Sequence, residues 1–118
     1  VMHIGQELPL TTPKTPMSEA ILVMTEKRFG CLGVTDTAGR LLGIITDGDL
    51  RRHMGKDLLG STAGTIMTQA PRTIRRRALA AEALGYMNAN SITSLFVAED
   101  DVPEGIVHIH DILRAGIA

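Results

Sequence analysis

The second half of the chain repeats the first. When Pro16-Met17-Ser18-Glu19-Ala20-Ile21-Leu22-Val23-Met24 is set against Leu79-Ala80-Ala81-Glu82-Ala83-Leu84-Gly85-Tyr86-Met87, Glu19, Ala20 and Met24 meet Glu82, Ala83 and Met87, each pair 63 residues apart. The register holds through Leu32 and Val34, which meet Leu95 and Val97, and then shortens by one, so that Gly43 and Asp49 meet Gly105 and Asp111. A unit of roughly 60 residues buries too little surface to be robust alone. The duplication therefore predicts two copies packed face to face, sharing a core and leaving a cleft between them. It divides the chain into a first repeat over residues 1–60, with an N-terminal linker segment, and a second over residues 61–118.

Each copy reads as an α/β unit. Met17, Ile21 and Met24 fall at i, i+4, i+7 and predict a helix over residues 17–29, with Pro16 well suited to its start. Ala80, Leu84 and Met87 do the same in the second copy. Short apolar runs follow at 31–35 and 94–98, then acidic or glycine-containing turns at 36–39 and 99–103, then branched runs at 41–45 and 105–109. Residues 47–54 and 111–115 read as short closing helices, and extended segments precede the copies near Pro9-Leu10 and Thr73-Ile74. Between the copies, residues 55–67 carry Gly55, Gly60, Ser61 and Gly64, a linker composition with room for a helical turn near 61–67. The expected fold is α/β, with two repeats as a pseudo-twofold pair, each a small, mostly three-stranded sheet with helices on one side.

Composition excludes several functions. Twelve basic against thirteen acidic residues leave no basic excess for nucleic acid or an anionic membrane. The single cysteine, Cys31, excludes an internal disulfide and a thiol-built zinc site, and suits a reducing cytoplasm. No apolar run approaches the roughly 20 residues needed to cross a bilayer. Beginning at Val1, with Met2-His3-Ile4-Gly5 similar to Met67-Thr68-Gln69-Ala70, the chain reads as a piece of a longer polypeptide whose catalysis resides elsewhere.

The polar residues that matter cluster where strands end and helices begin. Thr46 and Asp49 belong to such a junction, where side chains and free amides face one small volume; a helix cap and a polar ligand site both satisfy that pattern. His108 takes the place of Thr46 in the second copy, with His110 and Asp111 after it, so the two half-sites differ. Two histidines at i, i+2 on a strand would share a side and permit a metal, yet no third ligand is evident; an imidazole beside an anion, or one satisfied by backbone, also fits. Gly30-Cys31-Leu32-Gly33 and Thr93-Ser94-Leu95 are equivalent entries to the first internal strand. There small residues allow close backbone approach, and a plain helix terminus accounts for the glycines equally well. Cys31 lacks a His-plus-acid context and reads as buried. Asp47 and Asp49 form a D-x-D pair without a supporting catalytic set. Arg51, Arg52, Arg72 and Arg75 to Arg77 suit phosphate or carboxylate by their forked geometry, and most of them read as solvated or at an interface. The six methionines fit helix packing.

On Gly43-Ile44-Ile45-Thr46-Asp47-Gly48-Asp49-Leu50 and Gly105-Ile106-Val107-His108-Ile109-His110-Asp111-Ile112, the chain resembles a tandem pair of cystathionine-β-synthase (CBS) domains, a Bateman module, over nearly its whole length. More narrowly, Thr46-Asp47-Gly48-Asp49-Leu50-Arg51-Arg52, Ile92-Thr93-Ser94-Leu95 and His108-Ile109-His110-Asp111-Ile112-Leu113-Arg114-Ala115-Gly116 resemble the C-terminal module of bacterial D-arabinose 5-phosphate isomerases. Phe96 departs from the proline usual there. The resemblance implies a regulatory, non-catalytic module attached to an upstream sugar-isomerase (SIS) domain, in the pathway to 3-deoxy-D-manno-octulosonate (Kdo) and lipopolysaccharide. It implies an effector nucleotide in the inter-repeat cleft. Asp49 and Asp111 would accept ribose hydroxyls, and Thr46 and nearby amides would reach phosphate. Backbone at Gly30, Cys31, Leu32, Thr93, Ser94 and Leu95 would read the base. His108, His110, Arg51 and Arg72 would contact the anionic part. CMP-Kdo is the favoured effector and AMP or ATP the substitute; neither cofactor nor metal is implied. Paired modules are expected to form a homodimer, and a purely architectural dimer without ligand is the rival reading.

Overall fold

The computed structural model describes residues 4, 8–55, 57–69, 71–75, 77, 80–90 and 92–114. Met2, His3 and Gly5, Ala70, Arg76, Leu79, Ala115 and Gly116, all invoked above, lie outside the described residues. The chain divides into two compact units, one spanning Pro9–Pro71 and the other comprising Val1–Leu8 and Arg72–Ala118.

The Pro9–Pro71 unit runs β1 (Leu10–Thr11), α1 (Met17–Lys27), β2 (Cys31–Thr35), β3 (Leu41–Thr46), α2 (Asp47–Arg52), α3 (Ala63–Ile66) and β4 (Thr68–Gln69). Its sheet has the order β1-β2-β3-β4, with β1 parallel to β2 and the other pairs antiparallel. The other unit runs β5 (Thr73–Ile74), α4 (Ala80–Asn90), β6 (Ser94–Glu99), β7 (Val102–His108) and α5 (Ile109–Arg114), with sheet order β5-β6-β7. Each unit carries its own buried cluster. Ala20, Met24, Leu32, Val34 and Ile45 in the first correspond to Ala83, Met87, Leu95, Val97 and Val107 in the second. The repeat is therefore a repeat of core positions.

Strand register carries the duplication too. Leu10 pairs with Gly33 and Thr73 with Phe96; Cys31 pairs with Thr46 and Ser94 with His108. Both hairpins shift register at equivalent points, between Val34 and Thr35 and between Val97 and Ala98. Beyond that point the turns differ by one residue, which is where the sequence offset drops. In the first turn the Asp36 carboxylate accepts the N–H groups of Ala38 and Arg40, both at 2.9 Å. In the second, Asp100 and Asp101 stand at φ 51° and 66°, as a tight primed turn requires of both central residues. That tight turn lets β7 begin at Val102, ahead of the expected residue 105. It also places Pro103 opposite the register shift, where a strand tolerates proline.

Helix α1 ends two residues earlier than the periodicity predicts. Arg28 turns left-handed at φ 64° and its N–H returns to the Met24 carbonyl at 3.1 Å, closing the last turn. At its other end no side chain caps the helix; the Met17 N–H instead donates to the Ser61 carbonyl at 2.8 Å. The first sheet has four strands where about three were expected, because β4 pairs Thr68 with Ile44 and Gln69 with Gly43.

Candidate functional site

The β3–α2 junction is built around one carboxylate. Thr46, still extended, caps α2: its hydroxyl accepts the Asp49 N–H at 3.3 Å, while Asp49 Oδ2 accepts the Thr46 N–H at 2.9 Å. This reciprocal pair is a capping box, and it satisfies donors that the helix start would otherwise leave open. The Thr46 hydroxyl also donates to Oδ2 at 3.1 Å. The other oxygen, Oδ1, accepts the Thr68 hydroxyl at 2.8 Å and an ion-paired hydrogen bond from Arg52 Nη2. Asp49 is only 2% exposed, the sole buried charged residue among those described. Burial works to raise its pKa; the Thr46 N–H, the Thr68 hydroxyl, the Arg52 guanidinium and the Thr46 hydroxyl outweigh it and hold the carboxyl below its ordinary value.

The α5 start repeats this arrangement with different chemistry. The His108 N–H donates to Asp111 Oδ2 at 3.3 Å, as Thr46 does to Asp49. Where the Thr46 hydroxyl accepts the Asp49 amide, His108 Nδ1 accepts the His110 N–H at 3.1 Å. His110 lies on α5 and not on the strand, so strand alternation does not align the two imidazoles. They stack nonetheless, with centroids 4.8 Å apart and planes at 24°. Among the described residues, no group of three His, Cys, Asp or Glu side chains could hold a metal ion.

The strand-entry residues divide by direction. Leu32 and Leu95 point into the cores, leaving only their backbone for any ligand. Cys31 is buried at the start of β2; burial first, and the neighbouring Asp47 charge second, push its thiol up to about 12, so it stays a thiol at neutral pH. Gly30, exposed, takes φ 75°, a conformation open to glycine and strained for other residues. Thr93 is exposed and its carbonyl accepts the Ile109 N–H at 2.8 Å, tying the β6 entry to the α5 start; Ser94 beside it is half-buried.

The described arginines are engaged differently. Arg51 is exposed on α2. Arg72 is engaged within its own unit, donating to Asn90 Oδ1 at 2.6 Å and to the Tyr86 hydroxyl at 3.3 Å. Asp47 is exposed and Asp49 buried, so the D-x-D pair does not converge. Sequence reasoning set Arg52 among the arginines suited to phosphate or carboxylate and missed its pairing with Asp49, and it missed Thr68 altogether. Arg52 had a usable signal, the i, i+3 spacing from Asp49 on a helix. Thr68 had none, because it reaches Asp49 only through the β3–β4 pairing.

The arabinose 5-phosphate isomerase KdsD of Pseudomonas aeruginosa is 44% identical over 99% of this chain, and that of Yersinia pestis 40% over 99%. The chain spans 37% and 36% of the length of these two proteins. Among solved structures, CBSX2 in complex with AMP superposes with a TM-score of 0.82 at 25% identity, over 98% of this chain and 91% of that one. A family model for the CBS domain matches residues 5–56 and again 63–118. Two matched repeats, two sheets of equivalent register and two capped strand-to-helix junctions agree: the chain belongs to the CBS domain family, as a tandem pair.

Proposed function

We propose that this CBS pair is the ligand-binding regulatory module of a D-arabinose 5-phosphate isomerase in Kdo and lipopolysaccharide biosynthesis, with CMP-Kdo as its effector. The observation that carries this is 40–44% identity to KdsD isomerases along essentially the entire chain. Catalysis belongs to an SIS domain upstream, and the pair contributes sensing. CMP-Kdo offers a ribose diol, a phosphate and a sugar carboxylate. Asp111 suits the diol, as does Asp49 once two of its four donors give way; Thr46, His108 and His110 suit the phosphate side, and Arg51, or Arg72 released from Asn90 and Tyr86, the carboxylate. Backbone at Gly30, Cys31, Leu32, Thr93, Ser94 and Leu95 reads the base. Ligand affinity that differs between two conformations of the enzyme is what would change its activity. The modules work as a homodimer in the cytoplasm; among the described residues no helix is long and apolar enough to cross a membrane.

A second reading, an adenine-nucleotide sensor, is favoured by the AMP found in CBSX2. Calorimetric titration with CMP-Kdo, CMP, AMP and ATP separates the two. CMP-Kdo binding tighter than AMP and ATP supports the first reading, the reverse order supports the second, and silence toward all four with a folded dimer leaves only an architectural role.

A further inference from the structure

Resting on the nucleotide-binding reading, the Asp49 junction carries a consequence for where a ribosyl ligand can enter. A carboxylate offers about four acceptor directions, and Asp49 has four donors: the Thr46 N–H and hydroxyl on Oδ2, the Thr68 hydroxyl and Arg52 on Oδ1. A ribose diol needs two of these directions. The two on Oδ2 belong to the cap of α2, so surrendering them costs the helix its start. The two on Oδ1 are held from outside the capping box, by an edge strand and by an arginine whose side chain is 64% exposed. Those are the partners that can leave. With them in place the carboxylate is buried, and a ligand hydroxyl finds neither a lone pair nor an approach.

We propose that Arg52 and Thr68 form an internal latch over Asp49 that closes the N-terminal half-site to ribosyl ligands. Arg52 is then a specificity-determining residue of the module: its guanidinium occupies the place a diol would take, and occupancy of this half-site requires the arginine to swing into solvent and Thr68 to give up its bond.

The test titrates the wild-type pair, Arg52→Ala and Arg52→Ala/Thr68→Val with CMP-Kdo, CMP, AMP and ATP, and repeats the variants with 2′,3′-dideoxy-AMP. Expected is one additional nucleotide per chain in the variants, or at least about a tenfold gain in affinity, absent for the dideoxy probe. Unchanged stoichiometry and affinity, or a gain that the dideoxy probe shares, overturns the latch. Wild-type silence with binding by the variants sinks the regulatory reading and keeps the latch; wild-type binding that the variants do not alter does the opposite; silence from all forms sinks both. Arg52→Ala removes a mostly exposed side chain, so it decides the matter even where the double variant does not fold, with far-UV circular dichroism as the check.

Discussion

Burial alone would leave the Asp49 carboxyl reluctant to ionise, and its four donors reverse that. The group therefore links stability to pH with a definite sign. Its folded pKa lies below the ordinary value of about 3.9, so its contribution is whole above that pH and is lost as pH falls through the folded value. Replacing it with Asn keeps the shape and removes the charge. Asn cannot accept on both sides as a carboxylate does, and one of its atoms becomes a donor facing donors. Asp49→Asn should cost about 1–3 kcal/mol at pH 7, measured by urea unfolding, and the gap to wild type should shrink at pH 3. A gap that is independent of pH would mean that the Asp49 charge contributes nothing and that the capping geometry alone matters.

The edge strand β4 shows how an element too short to announce itself can complete a site. Its two residues, Thr68 and Gln69, are polar and exposed, so no hydrophobic pattern marks them. What fixes β4 is close approach: a Cβ on Gly43 would stand 2.7 Å from the Thr68 carbonyl oxygen and 2.7 Å from Met67 Sδ. Gly43→Ala should push β4 off β3, cost roughly 1–3 kcal/mol, and weaken the Thr68 bond to Asp49. Hydrogen exchange should report this as lost protection at residues 68–69 together with the α2 start. Unaltered exchange there would show that the latch does not depend on β4. The same contrast explains what was readable beforehand. Helices α1 and α4 and strands β2 and β6 repeat their buried residues and declare themselves by period, and the apolar run 31–35 coincides with β2. The junctions were recognisable through Thr46 and Asp49, whose spacing is that of a capping box. The early end of α1 at Arg28 and the tight turn at Asp100-Asp101 rest on positive φ at non-glycine residues, which no composition signals. The pairing of Thr68 with Asp49 is a contact between segments 19 residues apart, created by folding.

Each repeat is a unit of about 60 residues with its own core, and units of this size sit near the limit of independent stability. A protein so built is unusually sensitive to anything that binds only its folded form. A sensor and an assembly device then differ in what stabilises them. If a nucleotide is the physiological ligand, saturation at about a hundred times Kd adds about 2.7 kcal/mol to the unfolding free energy, and for a domain of this size that raises Tm by several degrees. If association between modules is the whole role, Tm instead follows chain concentration and ignores nucleotide. Differential scanning calorimetry at two chain concentrations, each with and without CMP-Kdo, AMP and ATP, should show the nucleotide-dependent rise. A midpoint that moves only with chain concentration would assign this pair to architecture, because mass action permits no ligand to bind the folded state selectively and leave its melting unchanged.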